Sequence, residues 1–100
     1  MAIKLNDMVT VYRYWGGKSP ETGSWVTVYR NLSPSQARSL LSLPNTNSAT
    51  NITEFGIPRD IVIIVGKAAS KVTEEWAGPY ATGGGIQIYV PNPSVLLRFP

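Results

Sequence analysis

The residues of this sequence that could do chemistry are an arginine, a serine and a glutamine, each within an apolar segment. Arg13 in "VTVYRYW" carries a guanidinium that is costly to bury unless an anion pairs with it. Ser24 offers a hydroxyl that could hold a ribose or an amide group, and Trp25 beside it could stack on a flat ring. Gln87 in "GIQIYV" offers one acceptor and two donors without charge. Together these groups suit recognition of an anionic ligand.

Each of the three residues also has a structural interpretation. Arg13 either lies at a sheet edge, forms an ion pair with Glu54 or Asp60, or binds a phosphate. Ser24 could simply open a strand beside a core tryptophan, and Gln87 could be an exposed strand residue. None of the three identifies a function when it is taken alone.

The composition excludes several kinds of chemistry. The 100 residues include no histidine and no cysteine, which removes disulfides, thiolate nucleophiles, imidazole bases and the usual zinc ligands. We therefore expect no metal site and no cofactor. The net charge is +3, with lysines and arginines scattered along the sequence, so no basic block indicates nucleic-acid binding. A mild positive charge suits an anionic small molecule or an acidic protein partner.

The length and patterning indicate one folded domain over residues 1–100. With 43% hydrophobic and 15% charged residues, the chain has the composition of a globular protein. No run of about 18 apolar residues predicts a membrane span, and Met1 to Lys4 lack a signal-peptide pattern. We expect a soluble domain, and the given chain could be part of a longer protein.

The apolar pattern predicts a strand-rich α+β fold with about five or six strands and one or two short helices. Ser33, Pro34 and Gln36 form a capping-box signature that starts a helix, which we expect to reach about Leu43. Residues 60–66 are apolar at both parities, which predicts a central strand covered on both faces. The other predicted strands are 8–15, 24–30, 51–55, 86–90 and 94–99.

Three segments between these elements are predicted to lack strands. Residues 45–51 consist of Asn, Thr, Ser and Ala, which we expect to be too polar to bury and to form a mobile surface loop. Residues 67–76 predict either a short helix or a helical turn, and residues 77–85 predict a loop. The triple glycine 83–85 lacks dinucleotide-fingerprint spacing and precedes a strand. These glycines either let the backbone approach a ligand or make a turn.

In combination, the short motifs resemble a known toxin family. These motifs are "VYRYWGG" (11–17), "GSWVTV" (23–28), "LP" before Asn45, and "GGGIQIYVPNPSVL" (83–96). They resemble the C-terminal toxin domain of bacterial polymorphic toxins, which occurs in Rhs-repeat proteins, contact-dependent inhibition proteins and type VI secretion effectors. That family is similar to the ADP-ribosyltransferases, and one branch, like the tuberculosis necrotizing toxin domain, hydrolyses NAD.

The resemblance implies a compact split β-sheet that grips NAD in a cleft. It implies that Arg13 faces the dinucleotide and Ser24 the nicotinamide ribose, while Gln87 occupies the position of the transferases' catalytic glutamate. These three are the expected catalytic residues. The expected substrate-binding residues are neighbours of the same motifs: Tyr12, Tyr14, Trp15, Gly16, Trp25, Thr27 and Gly85.

Glutamine in place of glutamate favours hydrolysis over transfer. Cleavage of the nicotinamide bond passes through an oxocarbenium-like transition state, which a hydrogen bond from Gln87 to a ribose hydroxyl could stabilise. A neutral amide cannot activate a protein or nucleic-acid nucleophile as a carboxylate can. We therefore expect an NAD glycohydrolase, with NADP as a further possible substrate. If Glu54, Glu74 or Glu75 reached the ribose, the transferase interpretation would be restored.

The resemblance also implies a biological setting. The domain would be the C-terminal part of a larger secreted effector, delivered by a specialised secretion system into the cytoplasm of a target bacterium. Its producer would need an immunity protein, expected to be acidic and to plug the cleft. The alternatives are an ADP-ribosyltransferase that modifies RNA or protein, and a noncatalytic β-rich binding module.

Overall fold

The computed structural model of the chain describes residues 1–99. Within them it has seven strands, one α-helix and one 3₁₀ turn, so the predicted α+β class is confirmed. The helix α1 is Pro34–Leu40 and the 3₁₀ turn is Pro93–Val95. The strands are β1 Ala2–Lys4, β2 Val9–Trp15, β3 Trp25–Val26, β4 Asn51–Ile57, β5 Val62–Lys67, β6 Ile86–Tyr89 and β7 Leu97–Arg98.

The strands form two antiparallel sheets that meet at one point. The four-stranded sheet has the order β1-β5-β6-β3, and the three-stranded sheet has the order β2-β4-β7. An isolated bridge between Tyr12 and Thr27 joins the sheets, with reciprocal backbone hydrogen bonds of 2.8 and 2.9 Å. The chain that leaves β3 therefore passes directly onto β2, which carries Arg13.

The main core lies between the two sheets. In β2, β4 and β5 the residues that contribute to it alternate along the strand, as the period of a β-strand requires. The three-stranded sheet contributes Val11, Phe55 and Ile57, and the four-stranded sheet contributes Val26, Ile63 and Ile88. A smaller apolar cluster packs α1 against the other face of β2, through Tyr14, Ala37, Leu41 and Ala49.

The helix begins where its capping box predicts. The Ser33 hydroxyl accepts a hydrogen bond from the Gln36 backbone amide, and the Gln36 side-chain oxygen accepts one from the Ser33 backbone amide. The helix ends at Leu40, before the predicted Leu43, because Ser42 turns the chain with a φ of 49°. At this end the Gly83 amide donates to the Ser39 carbonyl at 2.8 Å, and the Gly85 amide donates to the Leu40 carbonyl at 2.9 Å. The glycine segment thus caps the helix.

Three of the strand predictions were wrong in detail. Strand β1 was missed, and residues 24–30 form only a two-residue strand and the Thr27 bridge. Strand β5 is interior to its sheet, but Val62 and Ile64 are 49% and 46% exposed, so only one face is covered. Residues 94–99 supply part of the 3₁₀ turn and the short β7, not one continuous strand.

The connecting segments also differ from expectation. Residues 67–76 contain no helix: Lys67 ends β5, and turns occur only at 72–73 and 75–77. The loop 45–51 was predicted to be too polar to bury, yet Asn47 is only 2% exposed. Its Nδ2 donates to the Tyr14 carbonyl at 3.1 Å, and its Oδ1 accepts from the Ala49 amide at 2.9 Å. Satisfied hydrogen bonds allow this polar side chain to be buried.

No helix in residues 1–99 is both long and apolar enough to cross a membrane.

Candidate functional site

The candidate site is a cleft between the end of β6, the segment after α1 and the turns that follow β5. Its volume is about 630 Å³, within the usual range of roughly 300–1,000 Å³ for small-molecule sites. We call it the basic cleft. The side chains that give it its chemical character are Arg13, Trp25, Lys67, Lys71, Trp76 and Gln87.

Arg13 is the most deeply buried charge in the basic cleft, at 9% exposed. Its Nε donates to the Pro20 carbonyl at 3.1 Å, and its Nη1 donates to the Trp25 carbonyl at 3.0 Å. The expected ion pair with Glu54 or Asp60 does not form: among residues 1–99 the ion pairs are Arg59 with Asp60 and Arg98 with Glu21. Arg13 is therefore a buried cation held by carbonyl dipoles, without a carboxylate.

Burial has an electrostatic consequence for Arg13. Desolvation of the guanidinium lowers its pKa from the ordinary value, although an arginine stays charged at neutral pH. A buried charge without a counter-charge is unfavourable, so an anion that reached the remaining N–H groups would be bound strongly.

Gly23 leaves the space that Arg13 occupies. A Cβ atom at this position would lie 2.6 Å from both Cζ and Nη2 of Arg13. The guanidinium therefore packs against the bare backbone of Gly23, and a side chain at this position would require Arg13 to shift.

Gln87 and Trp25 lie on the outer face of the four-stranded sheet, away from the core. Gln87 is opposite Gly66, whereas its neighbour Ile88 is buried, as the alternation predicted. The Gln87 Nε2 donates to the Leu41 carbonyl at 3.3 Å. This single long bond leaves the amide oxygen and one N–H available to a ligand.

The buried Thr27 and the half-buried Tyr29 fix the backbone beside Gln87. The Thr27 hydroxyl donates to the Ile86 carbonyl at 2.7 Å, and the Ile86 amide donates to the Tyr29 hydroxyl at 3.0 Å. Thr27 is fully buried. Thr27 was predicted to contact substrate, but its burial gives it a supporting role instead. It holds the strand that presents Gln87.

Three cleft residues were missed by sequence reasoning. Lys67 ends β5, and its pairing with Ile86 brings it to the cleft that contains Gln87. Lys71 lies in the segment after β5 and lines the same cleft. Trp76 closes the opposite side, held by Asn45, whose Nδ2 donates to the Glu75 carbonyl at 2.8 Å. In the sequence these cations looked scattered; only the sheet register could have revealed their cluster.

The other predicted site residues lie behind or outside the basic cleft. Tyr12 and Tyr14 line a small adjoining cavity behind Arg13. Tyr14 is structural, since its hydroxyl donates to the Tyr29 carbonyl and accepts from the Leu32 amide, both at 2.9 Å. Four further residues are absent from the cleft lining: Ser24, Trp15, Gly16 and Gly85.

Each of these four residues has another environment. The Ser24 carbonyl accepts from the Val90 amide at 2.7 Å, and the Trp15 Nε1 donates to the Thr53 hydroxyl at 2.9 Å. Gly16 packs against the side chains of loop 48–51, and Gly85 packs against the Leu40 backbone. The structure therefore assembles Arg13, Trp25 and Gln87 in one cleft, but it does not bring Ser24 there.

No carboxylate lines the basic cleft within the described part of the chain. Glu54, Glu74 and Glu75 are all exposed and lie outside its lining. Residues 1–99 also contain no cluster of three or more side chains able to hold a metal ion. The cleft lining therefore includes three cations, the side-chain amides of Asn47 and Gln87, and two indole rings.

The outer face of the four-stranded sheet continues from the basic cleft as an apolar surface. The rings of Trp25 and Tyr89 pack against each other at a 55° tilt, with 4.9 Å between their centroids, and Ile64 lies opposite Tyr89. Trp25 and Ile64 are 49% and 46% exposed. These residues therefore leave an exposed apolar face beside the basic cleft.

Comparison of the chain with known protein families, with curated proteins and with solved structures found no match. The functional interpretation therefore depends on the residues and their geometry.

Proposed function

We propose that this chain is a toxin domain that hydrolyses NAD to nicotinamide and ADP-ribose. The observation that carries the proposal is the buried, carboxylate-free Arg13 in a cleft that also holds Gln87, two lysines and two tryptophans. Of the three catalytic residues that the motif resemblance to NAD-hydrolysing toxin domains implies, Arg13 and Gln87 line this cleft and Ser24 does not. Two antiparallel sheets joined at one bridge are compatible with the split sheet of ADP-ribosyltransferase-like proteins.

The charge of the basic cleft suits a dinucleotide. The pyrophosphate of NAD carries two negative charges, and Arg13, Lys67 and Lys71 offer positive charge without a competing carboxylate in the lining. Trp25 and Trp76 provide rings that could stack on nicotinamide and adenine. A third phosphate would be favoured by the same cations, so NADP is also a reasonable substrate.

The reaction itself needs few catalytic groups from the protein. The bond between the nicotinamide nitrogen and ribose C1′ breaks, nicotinamide leaves with the bonding electrons, and positive charge develops on the ribose. The Gln87 amide oxygen can accept from a ribose hydroxyl and stabilise this charge. Water then adds to C1′ and releases a proton to solvent, giving ADP-ribose.

The absence of a carboxylate from the described cleft lining favours hydrolysis over transfer. A transferase needs a base to activate its protein or RNA nucleophile, and Glu54, Glu74 and Glu75 lie outside the lining. Water can react without such activation. The ADP-ribosyltransferase alternative would therefore require movement of the segment that carries Glu74 and Glu75.

The test incubates the purified domain with NAD and measures the release of nicotinamide by chromatography. Wild-type protein should turn over NAD, Gln87→Ala should lose most activity, and Thr10→Ala, an exposed change on β2, should retain it. Circular dichroism confirms that each variant is folded. Absence of turnover by folded wild-type protein at micromolar concentration would contradict the proposal. Radiolabel fixed on macromolecules of a lysate would favour the transferase.

The exposed apolar face beside the basic cleft gives the noncatalytic alternative its support. A binding module would use Trp25, Tyr89 and Ile64 for a protein partner, with Arg13 and Gln87 as structural residues. It predicts that Gln87→Ala leaves both NAD levels and the growth of an expressing cell unchanged. In the toxin interpretation the same face suits an acidic immunity protein that covers the cleft in the producing cell. A complex that left the cleft open would contradict that partner assignment.

The setting follows from the proposed toxicity. The domain would be carried by a larger secreted effector and would act on NAD in the cytoplasm of a target bacterium. Expression of the wild-type domain inside a bacterium should deplete NAD, whereas expression with export to the periplasm should not.

A further inference from the structure

A second pocket lies on the far side of α1 and shares no lining residue with the basic cleft. Its volume is about 570 Å³. One wall is the helix face of Ser35, Arg38 and Ser39, which are three and four residues apart and so lie together. The other wall is the segment of Pro79, Tyr80 and Thr82. We call it the helix-side pocket.

Arg38 is the unusual residue of the helix-side pocket. Its Nε is the one buried side-chain polar atom without a hydrogen-bond partner in residues 1–99. Neither ion pair of the described chain includes Arg38, and no carboxylate lines the pocket. A buried donor without a partner carries a desolvation cost that a bound acceptor would remove.

Hydroxyl groups line the same pocket as this guanidinium. The Ser39 and Thr82 hydroxyls are 2.7 Å apart and are hydrogen-bonded to each other, which joins the two walls of the pocket. Ser35 adds a third hydroxyl, and Tyr80 adds an aromatic ring that is 69% exposed. One cation and several hydroxyl donors match the oxygens of a phosphate, whereas the ring offers a surface for a planar group.

We propose that the helix-side pocket binds a phosphorylated small molecule with a planar ring, of the kind represented by a nucleoside monophosphate. The Arg38 guanidinium pairs with the phosphate, and the Ser35 hydroxyl and whichever of the bonded Ser39 and Thr82 hydroxyls keeps a free proton donate to its oxygens. The Tyr80 ring packs against the base. This binding function is separate from NAD hydrolysis and does not depend on it.

The test is a titration of ¹⁵N-labelled protein with AMP, followed by the backbone amide shifts. We expect saturable shifts at Arg38, Ser39, Tyr80 and Thr82, with adenosine and inorganic phosphate each binding more weakly than AMP. Arg38→Gln should raise the dissociation constant about tenfold or more, as loss of a charge-assisted hydrogen bond requires. Tyr80→Leu should raise it about fivefold.

Arg30→Gln is the matched control, because Arg30 is an exposed arginine outside this pocket. It should leave the affinity for AMP unchanged. Circular dichroism of each variant confirms folding before the titration. The proposal is overturned if AMP shifts do not saturate, if they are confined to amides of the basic cleft such as Gln87 and Lys71, or if Arg30→Gln weakens binding as much as Arg38→Gln.

Discussion

Three glycine-to-alanine changes separate two reasons for glycine in the segment 83–85: a positive φ, and too little space for a Cβ atom. Gly83 has a φ of +75°, and an added Cβ would lie 2.5 Å from the Ala68 carbonyl oxygen and 2.8 Å from that of Ala69. Gly84 has a φ of +92° but nothing within 4 Å of its added Cβ. Gly66 in β5 has neither a positive φ nor a neighbour within 4 Å. From Gly66 to Gly84 the change to alanine adds backbone strain, and from Gly84 to Gly83 it adds steric overlap as well.

The expected losses follow from these distances. Gly66→Ala should change the free energy of unfolding by less than about 1 kcal/mol, in the stabilising direction. Gly84→Ala should cost about 1–2 kcal/mol, because alanine is strained in the left-handed region. Gly83→Ala should cost that amount plus about 1–3 kcal/mol, because the neighbouring atoms are backbone and cannot rotate away.

Urea unfolding monitored by circular dichroism measures all three values. For a domain of this size, each kcal/mol also lowers Tm by roughly 4–8 °C, so the order of the variants should be visible in thermal melts. The reasoning would be refuted if Gly83→Ala proved no less stable than Gly84→Ala. In that case Gly83 would not hold the backbone that caps α1.

Three further changes test separate parts of the fold and the site. Gln87→Ala should lower the rate of NAD hydrolysis by roughly 100-fold with little effect on stability, because its single 3.3 Å hydrogen bond is long; kcat and urea unfolding measure the two effects. Ser33→Ala should cost about 1 kcal/mol of unfolding free energy through loss of the cap, whereas exposed Ser70→Ala should cost nothing measurable in the same urea experiment. Asn47→Ala should cost about 3 kcal/mol, because it leaves the Tyr14 carbonyl and the Ala49 amide without their partner; exposed Thr46→Ala is its control in thermal melts, and equal melting temperatures would contradict the role of Asn47.

Local signals in the sequence were sufficient for local structure. The capping box of Ser33 and Gln36 predicted the helix start, because it depends only on residues three apart. Alternation around Ile88 predicted that Gln87 would face away from the core, because the side-chain period of a strand is two. The length of β3 and the existence of β1 were not predictable in this way, since both depend on the strands that pair with them.

The site was predictable only in part for the same reason. Arg13 and Gln87 could be selected because each is polar within an apolar strand. The carbonyls that bind Arg13 come from Pro20 and Trp25, whose positions depend on a loop without a regular pattern. Lys67 reaches the cleft through the register of β5 with β6, and an apolar run does not reveal register.

The exposure of β5 had a different cause. Apolar residues at both parities predicted cover on both faces, and the core covers only the Ile63 side. Val62 and Ile64 instead face solvent beside Trp25 and Tyr89. One face of β5 is thus apolar but exposed, and the sequence alone does not distinguish such a face from one that lies in the core.

The order of strands in the sheets has a consequence for how the chain folds. Ala2 pairs with Ile64, Trp25 with Tyr89, and Val9 with Ile57, so most strand partners are distant along the chain. Long loops must close before these pairs form, and we expect refolding in milliseconds to seconds instead of microseconds. The basic cleft has no local precursor, because its walls come from both ends of the chain. Ligand recognition should therefore appear together with the completed fold, and a partly synthesised chain should be inactive.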